Sequence, residues 1–189
     1  MNSTLERLKD AQLLRRIRNG DDSAFVETYD LYAPKLFRHA LFRTDSEELA
    51  EDMVSETFLK AWEYVRTNAK EITHLRAFLY RVANNLVIDH YRRKDKASLP
   101  IDENMERTIG DVEAHRIPER IDAGLESDRI RRALASLRPE ARELLVMRYI
   151  DDLSIEEIAE TTGKNKNAVY VALHRGVKEL KTICSTATA

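Results

Sequence analysis

The sequence is poor in cysteine, proline and glycine, and it lacks a long apolar run. Its single cysteine, Cys184, has no internal disulfide partner, so we interpret it as a spare thiol. Five glycines and four prolines beside 34% charged residues favour helices over a turn-rich sheet. No apolar run approaches the roughly 18 residues that span a bilayer, and the opening segment MNSTLERLKD lacks the apolar core of a signal peptide. We therefore expect a cytosolic protein.

Motifs for catalysis and metal binding are missing as well. The five histidines are scattered along the chain, and no HExxH, CxxC or glycine-rich phosphate loop is present. The sequence therefore predicts no enzyme, no catalytic or metal-ligating residue, no cofactor and no small-molecule substrate.

Apolar residues recur at helical spacing on both sides of one irregular segment. A chain of 189 residues suffices for one medium domain or two small ones. The irregular segment holds Pro100, Gly110, Pro118 and Gly124 without a sustained apolar period, which indicates a flexible linker. We predict an all-α protein with a helical domain at 1–96, a linker at 97–127 and a second helical domain at 128–185. The predicted helices are 4–19, 23–43, 46–66, 74–94, 128–136, 139–150, 155–161 and 166–181.

The small net charge of -2 conceals an uneven distribution. Residues 97–128 contain nine acidic and three basic side chains, so this segment carries -6 and the remainder carries +4. Because local clustering decides nucleic-acid binding, the near-neutral total does not argue against it.

Three helix starts have local signals. Asp45 with Glu48, and Ser154 with Glu157, have the spacing of a capping box, in which two side chains satisfy unpaired backbone amides. Pro139 suits a first helical position because its missing amide hydrogen would have no partner there.

The stretch LSIEEIAETTGKNKNAVYVALHRGVKEL predicts a helix-turn-helix, with Gly163 in the turn. Ile155, Ile158 and Ala159 share one face of the first helix, and Val169, Leu173 and Val177 point inward from the second. The second helix leaves polar residues outward that suit base edges and phosphates. These residues are Lys164, Asn165, Lys166, Asn167, Tyr170, His174, Arg175 and Lys178. A helical hairpin with a merely solvated polar face has the same spacing, so the pattern alone leaves both interpretations open.

The predicted helix 46–66 has an apolar stripe and an acidic opposite face. The stripe contains Ala50, Met53, Val54, Thr57, Phe58, Ala61 and Val65. The opposite face contains Glu48, Asp52, Ser55, Glu56, Leu59 and Glu63, with Trp62 at its border. This face is either ordinary solvated surface or a docking surface for a basic protein partner.

The predicted helix 74–94 combines an apolar face with an unusual polar one. Leu79, Val82, Ala83 and Leu86 point inward. The far side gathers Arg81, Asn84, Asn85, Ile88, Tyr91 and Arg92. Amides, an aromatic ring and a basic end suit unpaired bases and phosphates. Packing of this face on a neighbouring helix is the alternative, and the helix alone does not decide between them.

In combination these motifs resemble the extracytoplasmic-function (ECF), or group four, sigma factors of bacterial RNA polymerase. Region two of that family is similar to GDDSAFVETYDLYAPKLFRHAL, AEDMVSETFLKAW and AFLYRVANNLVIDHYRRK. Region four is similar to LRPEARELLVMRYIDDLSIEEIAETTG and VALHRGVKEL. The resemblance covers about residues 20–180, and it implies a non-enzymatic initiation subunit with core polymerase, promoter DNA and an anti-sigma factor as partners.

The resemblance also implies roles for individual residues. The β′ clamp helices of the polymerase would contact Asp52, Ser55, Glu56, Leu59 and Trp62, and the β flap is the further implied polymerase contact. The minus-10 element would contact Arg81, Asn84, Asn85, Ile88, Asp89, Tyr91, Arg92, Arg93 and Lys94, with the loop 67–76. The minus-35 element would contact the segment 164–175 together with Lys178.

The chain departs from the family pattern at three places. Ser55 replaces a common glutamine, Phe78 replaces a common tryptophan, and Tyr170-Val171-Ala172 replaces a frequent Lys-Ser-Arg. The last difference removes two charged side chains from the recognition helix. A freestanding helix-turn-helix regulator with an N-terminal dimerisation or sensor domain is the competing hypothesis. It predicts duplex binding without polymerase and usually a palindromic site.

Overall fold

The computed structural model describes residues 2–68, 71–97 and 130–186, and within them it is all α-helical, as predicted. The helices are α1 (Asn2–Arg18), α2 (Asp22–Thr44), α3 (Glu47–Asn68), α4 (Leu75–Ala97), α5 (130–135), α6 (Pro139–Leu145), a π-helical turn (Val146–Ile150), α7 (Ile155–Thr162) and α8 (Lys166–Thr186). No helix in these described ranges is long and apolar enough to cross a membrane. The predicted linker lies outside the described residues, except for Ala97 at the end of α4.

Helices α1 to α4 form an N-terminal bundle around a continuous apolar core. The buried residues of α3 are the seven of the predicted stripe, and Leu79, Ala83 and Leu86 of α4 are buried as predicted. Val82 is only partly buried. The α3 surface therefore faces outward along its whole acidic side.

Helices α5 to α8 and the π-helical turn form a C-terminal bundle. Ser154 accepts a hydrogen bond from the Glu157 amide, and the Glu157 side chain accepts one from the Ser154 amide, which confirms the predicted capping box. Gly163 ends α7 with a φ of 70°, a left-handed conformation that glycine adopts without steric cost. Pro139 begins α6 as predicted.

Two local expectations are wrong. Asp45 does not begin a helix: it ends α2 in the left-handed region with a φ of 59°, and its amide donates to the Leu41 carbonyl. The side chain of Ser46 instead accepts from the Leu49 amide at the start of α3. The predicted helix 139–150 also widens into a π-helical turn from Val146 to Ile150.

The two bundles pack against each other. Helix α4 lies along α7, and α2 lies against the π-helical turn. One cluster of buried apolar side chains contains Leu79 and Tyr80 from the N-terminal bundle and Leu144, Met147 and Ile158 from the C-terminal bundle. The contact between the bundles therefore covers part of the surface on which the minus-10 residues were predicted.

Candidate nucleic-acid interface

The outward side of α3 is exposed. Asp52, Ser55 and Glu56 are exposed, and Leu59 exposes 58% of its surface. We call these four residues the α3 acidic face. Trp62 is partly buried because its ring lies 4.8 Å from that of Phe25 in α2. An exposed leucine within an acidic surface is the composition expected of a protein-binding surface with a basic partner.

Helix α2 adds two apolar residues that the sequence analysis missed. Val26 is 60% exposed and Tyr29 is 46% exposed. The Tyr29 ring contacts that of Phe58 in α3 with centroids 4.6 Å apart, so it lies beside the helix that carries Leu59. A helical projection of α2 like that used for α3 would have found these outward positions.

The outward residues of α4 are mostly accessible. Arg81, Asn85 and Asp89 are exposed, as are Arg92 and Arg93. Lys94 lies in α4, but its side chain is outside the described part of the structure. The exposed arginines and Asn85 therefore remain available to phosphates and base edges.

Two predicted outward residues of α4 are less accessible than expected. Ile88 and Tyr91 are partly buried. The Tyr91 hydroxyl donates a hydrogen bond of 2.7 Å to the Arg43 carbonyl, which fastens the ring to α2. Tyr91 therefore supports the bundle with its hydroxyl, and only part of its ring faces outward.

Asn84 is buried, so its predicted outward position is wrong. It exposes 2% of its surface. Its Oδ1 accepts a hydrogen bond of 2.8 Å from Arg43 Nη1, and its Nδ2 donates one of 2.8 Å to Glu143 Oε1. Glu143 belongs to α6, and its side chain reaches Asn84 across the junction of the two bundles. Periodicity assigns a residue to a face of its own helix, but it does not show what packs there.

The Asn84 contacts belong to a larger polar junction. Burial lowers the pKa of the Arg43 guanidinium, and the nearby Glu143 carboxylate opposes that change. Arg142 Nε donates to the Phe42 carbonyl at 2.8 Å, again from α6 to α2. Burial also lowers the pKa of Arg142. Two cations are thus partly or fully withdrawn from water where the bundles meet.

A second set of polar contacts joins α2 and α4 to the π-helical turn and α7. His39 Nδ1 lies 2.6 Å from Asp151 Oδ2, and both side chains are fully buried. Arg76 donates to the Asp151 carbonyl and lies 3.7 Å from a Glu157 oxygen. The π-helical turn directly precedes Asp151 and so delivers its carboxylate to His39.

The predicted minus-10 loop 67–76 takes part in the same junction. His74 Nδ1 lies 2.8 Å from Glu160 Oε2 of α7, and Thr73 donates to the other Glu160 oxygen at 3.2 Å. Ile72 and Leu75 are buried. Residues 69–70 of this loop lie outside the described residues.

Helix α8 and the two residues before it expose all eight polar residues that were predicted to face the minus-35 element. They are Lys164, Asn165, Lys166, Asn167, Tyr170, His174, Arg175 and Lys178. Val169 and Leu173 are buried and Val177 is partly buried, which confirms the inward side. The helix therefore presents a mainly polar surface in which Tyr170 and Val171 are the exposed large apolar residues.

Two of these residues already have partners within the chain. Lys166 Nζ lies 2.8 Å from Glu156 Oε1 of α7, and Asn165 Oδ1 accepts from the Ala168 amide at the helix start. The ion pair lowers the pKa of Glu156, chiefly through the hydrogen bond from Lys166. Because both partners are exposed, the pair is readily exchanged for another anion.

The sequence matches the family model of Sigma-70 region 2 over residues 28–97 and that of Sigma-70, region 4 over residues 127–180. It is 32% identical over 180 residues to the ECF RNA polymerase sigma factor BldN of Streptomyces coelicolor, covering 89% of this chain and 63% of BldN. It is 30% identical over 176 residues to the ECF sigma factor SigW of Bacillus subtilis, covering 89% of this chain and 92% of SigW. This chain belongs to the ECF sigma factors.

Two solved structures share the fold of this sigma factor. CnrH in complex with the cytosolic domain of CnrY has a TM-score of 0.70 at 23% identity, covering 94% of this chain and 98% of CnrH. RpoE in complex with the anti-sigma factor NepR from Bartonella quintana has a TM-score of 0.63 at 19% identity, covering 85% of this chain and 96% of RpoE. The similarity confirms the helical fold expected from the family resemblance.

In sigma-factor terms, the α3 acidic face and the outward side of α4 belong to the region 2 match, and α8 belongs to the region 4 match. The α3 acidic face and the polar side of α8 are exposed in the structure. The outward side of α4 is covered at Asn84, because this region 2 residue is hydrogen-bonded to Glu143 of region 4.

Proposed function

We propose that this ECF sigma factor binds core RNA polymerase, directs it to promoters with minus-10 and minus-35 elements and helps to open the start region. The observation that carries the proposal is the presence of two exposed surfaces on different helices. One is an acidic face with an exposed leucine on α3, and the other is a basic, amide-rich face on α8. Both surfaces fall within the matched regions. A non-enzymatic subunit of this kind works in the cytoplasm, where its polymerase and DNA partners are found.

The proposed polymerase contact is the α3 acidic face with Trp62, docked on the β′ clamp helices. Leu59 would supply the apolar anchor, since it is 58% exposed in the free chain and gains most from burial. The surrounding carboxylates would attract a basic partner and accelerate encounter. The C-terminal bundle would contact the β flap.

The proposed minus-10 contact is the outward side of α4. Arg81, Arg92 and Arg93 would bind phosphates, and Asn85 would donate to or accept from the edge of an unpaired base. Melting exposes those edges, so a single strand offers contacts that the duplex withholds.

The proposed minus-35 contact is α8 in the major groove. Asn167 suits adenine because its amide offers a donor and an acceptor to one base edge. Lys164 at the start of the helix suits phosphate, which also profits from the positive end of the helix dipole. Tyr170 and Val171 stand where the family frequently has lysine and serine, and they are 59% and 50% exposed, so they add apolar contact area.

Run-off transcription with core polymerase and a library of promoter variants tests the proposal. Wild-type chain should support transcription from a subset of promoters. Leu59→Ala should weaken binding to core polymerase by about tenfold, equivalent to ~1.4 kcal/mol, because it removes a central apolar anchor. Leu8→Ala is the matched control, since Leu8 is a similarly exposed leucine, at 63%, on α1.

The outcomes separate the competing functions. Affinity for core polymerase with promoter-dependent transcripts supports the proposal. Salt-dependent binding of a palindromic duplex without polymerase, and no affinity for core, would instead identify a freestanding regulator.

An anti-sigma partner is the regulatory part of the proposal. The structures of CnrH and RpoE contain the cytosolic domain of CnrY and the anti-sigma factor NepR, respectively. By analogy, we infer that this chain is held inactive by a protein that covers its DNA-binding surfaces. Affinity purification from resting and induced cells should recover that protein from resting cells. Recovery of polymerase alone under both conditions would contradict the inference.

A further inference from the structure

The carboxamide of Asn84 has a fixed orientation. The guanidinium of Arg43 has donors and no acceptor, so it must face the amide oxygen, at 2.8 Å. The carboxylate of Glu143 has only acceptors, so it must face the amide nitrogen, also at 2.8 Å. The flipped amide is excluded, because it would place the amide NH2 against the Arg43 donor and the amide oxygen against the Glu143 acceptor.

The two partners of Asn84 differ in where they come from. Arg43 lies in α2, within the same bundle as Asn84, and Glu143 lies in α6 of the other bundle. If the bundles separated, Arg43 would keep the amide oxygen while the amide nitrogen lost its acceptor. Asn84 would then present a hydrogen-bond donor on the outward side of α4, next to Arg81 and Asn85.

The junction between the bundles is built from groups that gain hydration when it opens. His39, Asp151, Arg43 and Glu143 are all buried there. Within the described part of the chain, the junction atoms that are buried without a hydrogen-bond partner include His39 Nε2, Arg76 Nε, Arg142 Nη2 and Asp151 Oδ1. Each such atom forfeits hydration that it would regain on opening. Such a junction suits reversible closure better than permanent packing.

We propose that Glu143 is an intramolecular substitute for a promoter acceptor, and that Arg43 is the positioning residue that aims the amide nitrogen of Asn84 at the promoter strand. In the closed arrangement, the amide nitrogen of Asn84 donates to Glu143 and is buried. In the open arrangement, the same donor binds an acceptor atom on the minus-10 strand. This proposal rests on the function proposed above and deepens it.

The closed arrangement leaves the polymerase contact free. The four residues of the α3 acidic face are exposed although Asn84 is buried. Core polymerase therefore binds the closed chain through α3, and the loss of the Asn84–Glu143 contact follows as a separate step before strand opening.

Small-angle X-ray scattering of the free full-length chain tests the closure. A compact chain of this length has a radius of gyration of about 16 Å. Glu143→Ala should enlarge the chain most, and Glu143→Gln should enlarge it less because glutamine retains an acceptor for Asn84. Glu140→Ala is the matched control, since Glu140 is an exposed carboxylate on the same helix. Circular dichroism confirms that the variants keep their helices.

Promoter opening tests the direction of the Asn84 hydrogen bond. Asn84→Asp keeps an oxygen for Arg43 but turns the outward atom from a donor into an anionic acceptor, which repels both Glu143 and the strand. It should therefore enlarge the free chain, as Glu143→Ala does, yet reduce strand opening by the holoenzyme at least about tenfold. Glu143→Ala should increase promoter opening by the holoenzyme when the chain is limiting. The largest possible increase is a factor equal to the ratio of closed to open wild-type molecules. A base-analogue fluorophore in the minus-10 strand reports the opening.

The outcomes distinguish this proposal from the proposed function. An unchanged radius of gyration in both Glu143 variants overturns the closure. Full opening activity of Asn84→Asp overturns the donor assignment. If wild-type chain gives no transcript with core polymerase, the proposed function fails, while the scattering series still decides whether Glu143 closes the chain.

Discussion

At the scale of single residues, the amide of Asn84 lies between a cation from its own bundle and an anion from the other. Arg43 contacts it through one hydrogen bond rather than a bidentate fork. The guanidinium therefore acts mainly as an oriented donor at the end of a buried side chain. Its burial is costly unless an anion lies close, which Glu143 supplies in the closed arrangement. The same three groups thus set both the chemistry and the accessibility of the site.

Asp21 is a residue whose protonation controls a helix start. It precedes α2 and accepts hydrogen bonds from the Ser23 amide, the Ser23 hydroxyl and Arg16 Nε at 3.0, 2.6 and 2.8 Å. The Ser23 hydroxyl and then Arg16 hold the pKa of Asp21 at about 2, below its usual 3.8. Because the folded-state pKa is depressed, the carboxylate contributes its full stabilisation above pH about 4 and loses it as the pH falls towards 2.

The lowered pKa of Asp21 gives a specific prediction for Asp21→Asn. Asparagine is as good a helix cap as aspartate, so the variant removes the charge and keeps the cap. Wild type should be the more stable protein at neutral pH, and the difference in free energy of unfolding should vanish as the pH approaches 2. Urea unfolding across that pH range measures it. Asp22→Asn, one residue into the helix, is the control, and a difference that stays constant down to pH 2 would contradict the assignment.

At the scale of elements, helical periodicity predicted much of the fold. The stripe of α3 and the inward side of α8 were correct because each depends on a repeat within one helix. The Ser154 capping box was correct because its two partners lie three residues apart. The Asp45 prediction failed because an aspartate followed three residues later by glutamate also occurs where one helix ends just before the next begins.

The candidate site was only partly predictable for a related reason. Exposure of the α3 acidic face and of α8 follows from periodicity, since nothing packs on those sides in the described structure. Burial of Asn84 depends on Glu143, which is 59 residues away along the chain. No local pattern records such a contact. The π-helical turn before Asp151 has no sequence repeat of its own and was likewise missed.

Helix α8 carries the prediction that belongs to this scale. In the holoenzyme, Lys164→Ala should weaken binding to all minus-35 duplexes similarly and reduce the slope of log affinity against log salt by about 1, because one phosphate contact is lost. Asn167→Ala should leave that slope unchanged and relax the preference at one base pair by about 1–3 kcal/mol. Binding of a duplex library at several salt concentrations distinguishes the two effects.

The control for this comparison is Lys181→Ala. Lys181 is exposed on the same helix, beyond the residues assigned to the major groove. Its replacement should change neither the salt slope nor the base preference. A similar loss in the Lys164 and Lys181 variants would indicate that α8 contributes only diffuse charge.

At the scale of the whole molecule, the apolar core is continuous from one bundle to the other, but the polar groups are concentrated where the bundles meet. Apolar contacts between α4 and α7 favour the closed arrangement, but they do not fix one relative orientation of the bundles. The paired and unpaired polar groups fix one closed arrangement and at the same time reduce its net stability. Damage within a bundle and damage at the junction should therefore have different consequences.

Phe58→Ala and Asp151→Ala test that difference. Phe58 of α3 is buried, and its ring contacts Phe25 and Tyr29 of α2 within the N-terminal bundle. Opening therefore cannot relieve the cavity, and the free energy of unfolding should fall by about 3–5 kcal/mol with an unchanged radius of gyration. Asp151→Ala leaves His39 Nδ1 buried without its hydrogen-bond partner, which would cost about 1–3 kcal/mol in a fixed core. Here the bundles can separate and rehydrate His39, so the loss is limited to the free energy that holds them together. The expected result is a larger radius of gyration with a smaller loss of stability, and the reverse pattern would mean that the two bundles form one inseparable core.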